Sequence, residues 1–172
     1  MEAMPQESET TDARPEGDAL EQAHSVVTRL SHRLRAAVLG REEVIELVLV
    51  ALIADGHVLL EDFPGSGKTT LARALGSSIV QDPPLVIDGV TIASLRGIQF
   101  APDLLPSDIT GSNDVDSEAS RFDFRPGPLF AHIVLADEIN RTSPKVQSAM
   151  LEAMGEKQIT ADEKTHPLDD FF

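Results

Sequence analysis

The sequence predicts an α/β fold in which a parallel sheet is flanked by helices. Three observations carry this. The apolar run His57-Val58-Leu59-Leu60-Glu61 stands directly before a glycine-rich loop, and helical spacing follows that loop. A second apolar run, Ile133 to Ala136, ends on two acids, Asp137 and Glu138. Short apolar runs of this kind suit parallel strands covered on both faces. The N-terminal third repeats apolar residues at helical intervals.

The elements follow in order. Residues 1–17 carry Glu2, Glu7, Glu9, Asp12 and Glu16 against Arg14, with almost no apolar residue, and read as a disordered acidic tail. Residues 18–172 read as one domain. Asp18 and Glu21 have capping-box spacing, so a helix should begin there. Leu20, Ala23, Val27, Leu30, Leu34 and Val38 form its stripe, and Gly40 ends it. A second helix is expected over Glu42–Ala54, burying Val44, Leu47, Val48, Ala51 and Leu52. His57–Glu61 should be a buried strand and Thr69–Ser77 a helix with Leu71, Ala72 and Leu75 inward. Residues 80–94 read as irregular, with a short strand at 85–87, and 97–101 as a further core strand. Residues 102–111 suggest loop and short helix, and 112–120 a polar, mobile stretch. Phe122-Asp123-Phe124-Arg125 alternates and then turns at Pro126-Gly127-Pro128, as in an inserted hairpin. Ser143 and Pro144 suit the start of a helix running to Met154, with Val146, Met150, Leu151 and Met154 inward and Gly155 as its stop. Residues 158–160 and 165–168 suggest a last hairpin around Asp162, and Phe171-Phe172 the start of a strand.

Bulk properties narrow the function. With 172 residues, 41% of them apolar, the chain can bury one core. Its formal net charge of −15 repels phosphate backbones and argues against nucleic-acid binding. The absence of cysteine excludes disulfides, thiolate metal sites and cysteine nucleophiles. Met1–Gly17 lacks the apolar segment of a signal peptide. Val44–Ala54 is too short to cross a bilayer, which takes about 20 apolar residues. A soluble, cytoplasmic protein is expected. The histidines at 24, 32, 57, 132 and 166 show no metal-ligand spacing.

The chemistry concentrates in two places. Pro64-Gly65-Ser66-Gly67-Lys68-Thr69-Thr70 lies between the expected strand and helix. Glycines let backbone N–H groups converge on phosphates, and the helix adds its positive N-terminus. Lys68 would reach the β- and γ-phosphates of ATP, and the Thr69 hydroxyl would ligate Mg²⁺. The pattern G-x-x-x-x-G-K-[ST] would place its first glycine at 62, where this chain has Asp62. Asp137 and Glu138 end the second apolar run, as in a Walker B element. Ligands of parallel sheets sit beyond the carboxyl ends of the strands. Asp137 would therefore hold Mg²⁺, through water, and Glu138 would activate the attacking water as general base. Asn140 could orient that water or be a turn residue. Arg141 could reach a phosphate or a neighbouring subunit, or be a surface charge.

Several blocks resemble the MoxR family of AAA+ ATPases. They are Gln99–Gly111, Phe122–Pro128, Leu135–Arg141 with its continuation through Pro144-Lys145, Gln147–Ala149 and Leu151–Met154, and Asp62-Phe63-Pro64-Gly65. In that family an acidic residue often replaces the first loop glycine. The resemblance covers roughly residues 20–170. It implies an AAA+ sheet, hexameric rings with ATP hydrolysed at subunit interfaces, and chaperone-like action beside von Willebrand factor A domain partners.

Two departures accompany the resemblance. Residues 80–95 look longer than the family's link. The family's next strand, with its sensor residue, would begin near Phe171, and the arginine finger and helical lid would follow it. That strand lies between the two apolar strands in the family, so its absence would leave backbone groups unpaired, each costing about 1–3 kcal/mol. Three functions are therefore carried forward: a MoxR-type ATPase, a truncated nucleotide-binding or interaction fragment without turnover, and a chelatase-type AAA+ motor.

Overall fold

The computed structural model describes residues 16–61, 63, 65–80, 83–87, 89–116, 121–169 and 172. Helices α1 (Glu16–Ala37) and α2 (Glu42–Ile53) come first, joined through Gly40, whose φ is +69°. Helix α3 (Lys68–Gly76) follows the glycine-rich loop. Strands β1 (Val86–Ile87) and β2 (Val90–Thr91) form a small antiparallel hairpin, and β3 (Ala93–Gln99) a longer strand. A short α4 (Pro106–Thr110) leads into the antiparallel pair β4 (Gly111–Asp116) and β5 (Arg121–Pro126). Strand β6 (Ala131–Asp137), a 3₁₀ turn (Ile139–Arg141) and α5 (Pro144–Glu156) precede the hairpin of β7 (Gln158–Ala161) and β8 (Lys164–Pro167).

The parallel pair β3–β6 is the centre of the molecule, with Ala93 opposite Ala131 and Gln99 opposite Asp137. Successive side chains of a strand point to opposite faces. Ile133 accordingly packs into a cluster made by Leu34, Val38, Ile45, Val48, Leu49, Leu71 and Leu75 of the three N-terminal helices and their links. Its neighbour Val134 packs into the other cluster, built on Phe100, Ile109, Leu129, Phe130, Val146 and Ile159. The sheet is thus covered by α1–α3 on one side and by α5 with the hairpins on the other, the expected α/β arrangement. No described helix is long and apolar enough to cross a membrane.

Several expectations need correction. His57–Glu61 forms no strand, and Val58 and Leu59 are 45% and 80% exposed. A strand exists only by pairing, and no described strand lies alongside this one. Side chains hold the segment instead. His57 Nε2 sits 3.1 Å from the Met154 carbonyl, Lys157 donates to Asp55 at 2.6 Å, and Leu60 packs against the helical cluster.

Strand β3 begins four residues earlier than the spacing predicts, and Ser112–Asp116 of the stretch expected to be mobile belong to β4, while residues 117–120 lie outside the described residues. In α2 the buried residues are Ile45, Val48 and Leu49, and Leu47 faces outward. In α5 Ala153 is buried and Leu151 is exposed. Gly155 lies inside that helix, and Lys157, at φ 49°, caps it. The α1 stripe is buried only at Leu34 and, beyond the helix end, Val38. Of the tail expected at 1–17, residues 1–15 fall outside the described residues, while Glu16 and Gly17 already belong to α1, which starts two residues before Asp18. Of the strand expected at Phe171-Phe172, Phe171 falls outside them and Phe172 is in no strand.

The two hairpins are locked together. The Phe124 ring stacks on the His166 ring at 4.3 Å and meets Phe130 edge-on at 5.7 Å. The Asn113 N–H donates to the Asp162 carboxylate at 2.7 Å. Gly111 and Gly127 sit at the junction of α4, β4 and the end of β5, where a side chain at either would run into backbone. A Cβ on Gly127 would overlap the Ile109 carbonyl and come within 2.5 Å of the Gly111 nitrogen. Backbone on both sides cannot step aside as a flexible side chain could. Gly127→Ala should therefore cost about 3 kcal/mol, the top of the usual overpacking range. In a domain of this size that lowers the melting temperature by roughly 6–12 °C. An unchanged melting temperature would show that the junction is looser than drawn.

Candidate functional site

The glycine-rich loop closes onto the N-terminus of α3. Gly65 and Gly67 both adopt left-handed backbone, with φ of +81° and +94°. Gly67 is the N-cap, and its carbonyl accepts the Leu71 N–H at 2.9 Å. The N–H groups of Lys68, Thr69 and Thr70 come before the first intrahelical bond, so helix geometry leaves them to face the loop. The macrodipole adds partial positive charge at the same place. The Lys68 ammonium donates to the Phe63 carbonyl at 3.3 Å, folding back over the loop. Thr69 and Thr70 are exposed, and Phe63 is 84% exposed. Asp62 and Pro64 lie outside the described residues.

One atom of this loop is out of balance. The Ser66 hydroxyl oxygen is buried and has no hydrogen-bond partner among the described residues. Leaving such a group unsatisfied costs about 1–3 kcal/mol, and a buried polar atom without a partner calls for an explanation. It lines a small cavity of about 60 Å³ together with Gly67, Lys68 and residues not expected at the site: Val38, Arg41, Val44 and Leu60. The cavity thus joins the loop to the α1–α2 turn. Gly40, with its positive φ, turns the chain just before Arg41, the N-cap of α2, and nothing in the spacing tied that turn to the loop. Ligand sites run to roughly 300–1,000 Å³, so a cavity of about 60 Å³ is small for one as it stands.

The two acids sit at the carboxyl end of β6. Asp137 is the last strand residue and is exposed, and its carbonyl accepts the Phe100 N–H at 2.9 Å. Glu138 follows in left-handed backbone, φ 59° and ψ 35°. For a residue with a side chain this conformation costs of order 1–3 kcal/mol and concentrates at functional sites. Its carboxylate accepts from Arg141 Nε at 3.0 Å, and the Arg141 N–H donates to the Glu138 carbonyl at 2.9 Å. Gln147 of α5 braces the turn by donating to the Ile139 carbonyl at 3.2 Å. Arg141 therefore engages the neighbouring acid, a role its spacing did not indicate. Asn140 is exposed on the same turn. Asp137 and Glu138 are not among the walls of the loop cavity. No cluster of three or more acids and histidines suited to a metal occurs among the described residues. The larger cavity, about 540 Å³, lies away from both, between α1 and α2.

The chain is similar to known proteins over most of its length. The model of the ATPase family associated with various cellular activities (AAA) matches residues 57–172. The chain is 46% identical over 152 residues to YeaC, an uncharacterized protein of Bacillus subtilis (strain 168), covering 88% of this chain and 44% of YeaC. It is 37% identical over 144 residues to the chaperone MoxR1 of Mycobacterium tuberculosis, covering 81% of this chain and 34% of the relative. A crystal structure of a protein from Cytophaga hutchinsonii superposes with a TM-score of 0.62 at 33% identity, covering 90% of this chain and 45% of that one. The chain thus spans less than half the length of each of these relatives.

Proposed function

We propose, for a chain that belongs to the MoxR family of AAA+ ATPases, that Gly65–Thr70 hold the phosphates of Mg-ATP and that Glu138 activates the attacking water. The observation that carries the first half is the buried, unpartnered Ser66 hydroxyl beside Lys68. A phosphate oxygen would satisfy it, and Lys68 would exchange the Phe63 carbonyl for a phosphate anion. Pro64 belongs to the same loop by position, and Val38, Arg41, Val44 and Leu60 would wall the base side.

The placement of α3 supports bringing the acids to this loop. Gly76, at the end of α3, packs against Leu95 of β3, which pairs with Ile133. From Gly76 back to Lys68 is about 12 Å of helix. From Leu95 to Gln99, opposite Asp137, is about 13 Å of strand. An antiparallel course of α3 over β3 would set Lys68 level with Asp137. The Thr69 hydroxyl and Asp137 carboxylate are hard oxygen donors of the type Mg²⁺ prefers. Bound there, Mg²⁺ would neutralise charge developing on the phosphates. Glu138 would take the proton of the attacking water, and Asn140 would help orient it. Arg141 would hold the Glu138 carboxylate in position.

Hexameric assembly, chaperone-like action and a von Willebrand factor A domain partner belong to this same reading. A second reading has the chain bind ATP without turnover, and the exposed Val58-Leu59 segment beside the loop, which pairs with no described strand, favours it for the isolated chain. Titration of a fluorescent ATP analogue tests the binding step. Binding should tighten with Mg²⁺, and Thr69→Ala should lose that gain while keeping metal-free binding. A Thr69→Ala variant that responds to Mg²⁺ as the parent does would remove Thr69 from the metal site.

A further inference from the structure

The turn that carries Glu138 is held against its own preferences at both ends. Glu138 opens it in left-handed backbone, φ 59° and ψ 35°. Thr142 closes it and is 7% exposed, with its hydroxyl oxygen buried and without a hydrogen-bond partner among the described residues. Strain of this kind persists only where the surroundings over-determine it. Bonds inside the turn do not supply that. Arg141 pairs with the Glu138 carboxylate at 3.0 Å, and its N–H donates to the Glu138 carbonyl at 2.9 Å. Both partners lie on the same turn, so they would move together.

Gln147 reaches the turn from outside it. Its side-chain nitrogen donates to the Ile139 carbonyl at 3.2 Å and to the Thr142 carbonyl at 3.5 Å. Two carbonyl acceptors require the nitrogen end of the amide, because the oxygen end has no proton to give. The helix behind this side chain is firmly seated. Val146, Met150 and Ala153 of α5 are 0%, 7% and 0% exposed and belong to the larger core cluster. The Gln147 N–H also donates to the Ser143 carbonyl at 3.1 Å, at the start of that helix. The amide therefore projects from a fixed element onto a strained turn. A misplacement of about 1 Å at a reacting group can cost about 100-fold in rate.

We propose that Gln147 is a positioning residue for ATP hydrolysis. By tying residues 139–142 to α5, it holds the Glu138 carboxylate where it can take the proton of the attacking water. The inference rests on the reading of Glu138 as general base and names a residue through which that base is aimed.

Steady-state phosphate release of the full chain tests this, with a thermal melt on the same preparations. Gln147→Met keeps the length of the side chain and removes the donor. Its kcat should fall about 10–100-fold, while KM for ATP and the melting temperature stay close to the parent's. Gln147→Lys keeps a donor of similar reach and should recover most of the turnover. In a Glu138→Gln background, Gln147→Met should slow turnover no further, because residues that act as a unit are not additive. Full turnover in Gln147→Met, or an equal loss in Gln147→Lys, overturns the positioning role and leaves Glu138 as the base. A further loss on top of Glu138→Gln overturns it too, since Gln147 would then act independently of Glu138. A melting temperature that falls together with kcat assigns Gln147 to the fold and likewise overturns it. A parent chain without turnover, or one that Glu138→Gln does not slow, overturns the general-base reading and this inference together.

Discussion

Replacing Glu138 by Gln should leave ATP binding in place and slow turnover by about 10²–10⁴-fold, the usual worth of a positioned general base. The amide keeps the size and shape of the carboxylate but cannot accept the water's proton. The left-handed backbone at 138 tolerates either residue at similar strain. The ion pair to Arg141 would be lost, but Glu138 and Arg141 are 42% and 63% exposed. Exposed pairs of this kind contribute about 0–1 kcal/mol, so the fold should hold. Steady-state phosphate release and analogue binding, measured on the same preparation, separate the possibilities. Undiminished turnover would remove Glu138 from the chemistry. Loss of binding together with turnover would mean that the substitution damages the site rather than the catalytic step.

What was legible in the sequence was what local chemistry dictates. Gly65 and Gly67 are needed because the loop requires left-handed backbone, and the helix after them starts at Lys68, one residue before the expected Thr69. The Ile133–Ala136 run and its terminal acids fall on β6 and its end. Pro144 starts α5, and the left-handed Asp162 and Glu163 make the last turn. What escaped depends on distant partners. β4 is polar, and it is a strand only because Phe124 and its neighbours on β5 lie opposite. Conversely, His57–Glu61 has a strand's composition and no neighbour to pair with among the described residues. The buried phase of α2 is set by where α1 and α3 lie, which rotates Ile45 and Leu49 inward in place of Leu47. In the site, spacing located both motifs. It could not tell that Arg41 and Val38 reach the loop cavity or that Arg141 turns back onto Glu138, since both follow from backbone turns.

Nucleotide binding at the loop is the central claim, and Lys68→Ala addresses it most directly. Lys68 is the only side-chain cation of the Gly65–Thr70 loop, so its removal leaves the phosphates to backbone donors and hydroxyls. The measurement is a thermal melt of the chain with and without Mg-ATP, beside the Lys68→Ala variant. A ligand that binds only the native state stabilises it by RT ln(1 + [L]/Kd), about 2.7 kcal/mol at a hundredfold excess over Kd. For a domain of this size that raises the melting temperature by roughly 5–11 °C. The expected result is such a rise in the parent chain and almost none in Lys68→Ala, with the two melting alike in the absence of ATP. A cooperative melt that Mg-ATP does not move, or one that moves equally in Lys68→Ala, would contradict nucleotide binding at this loop.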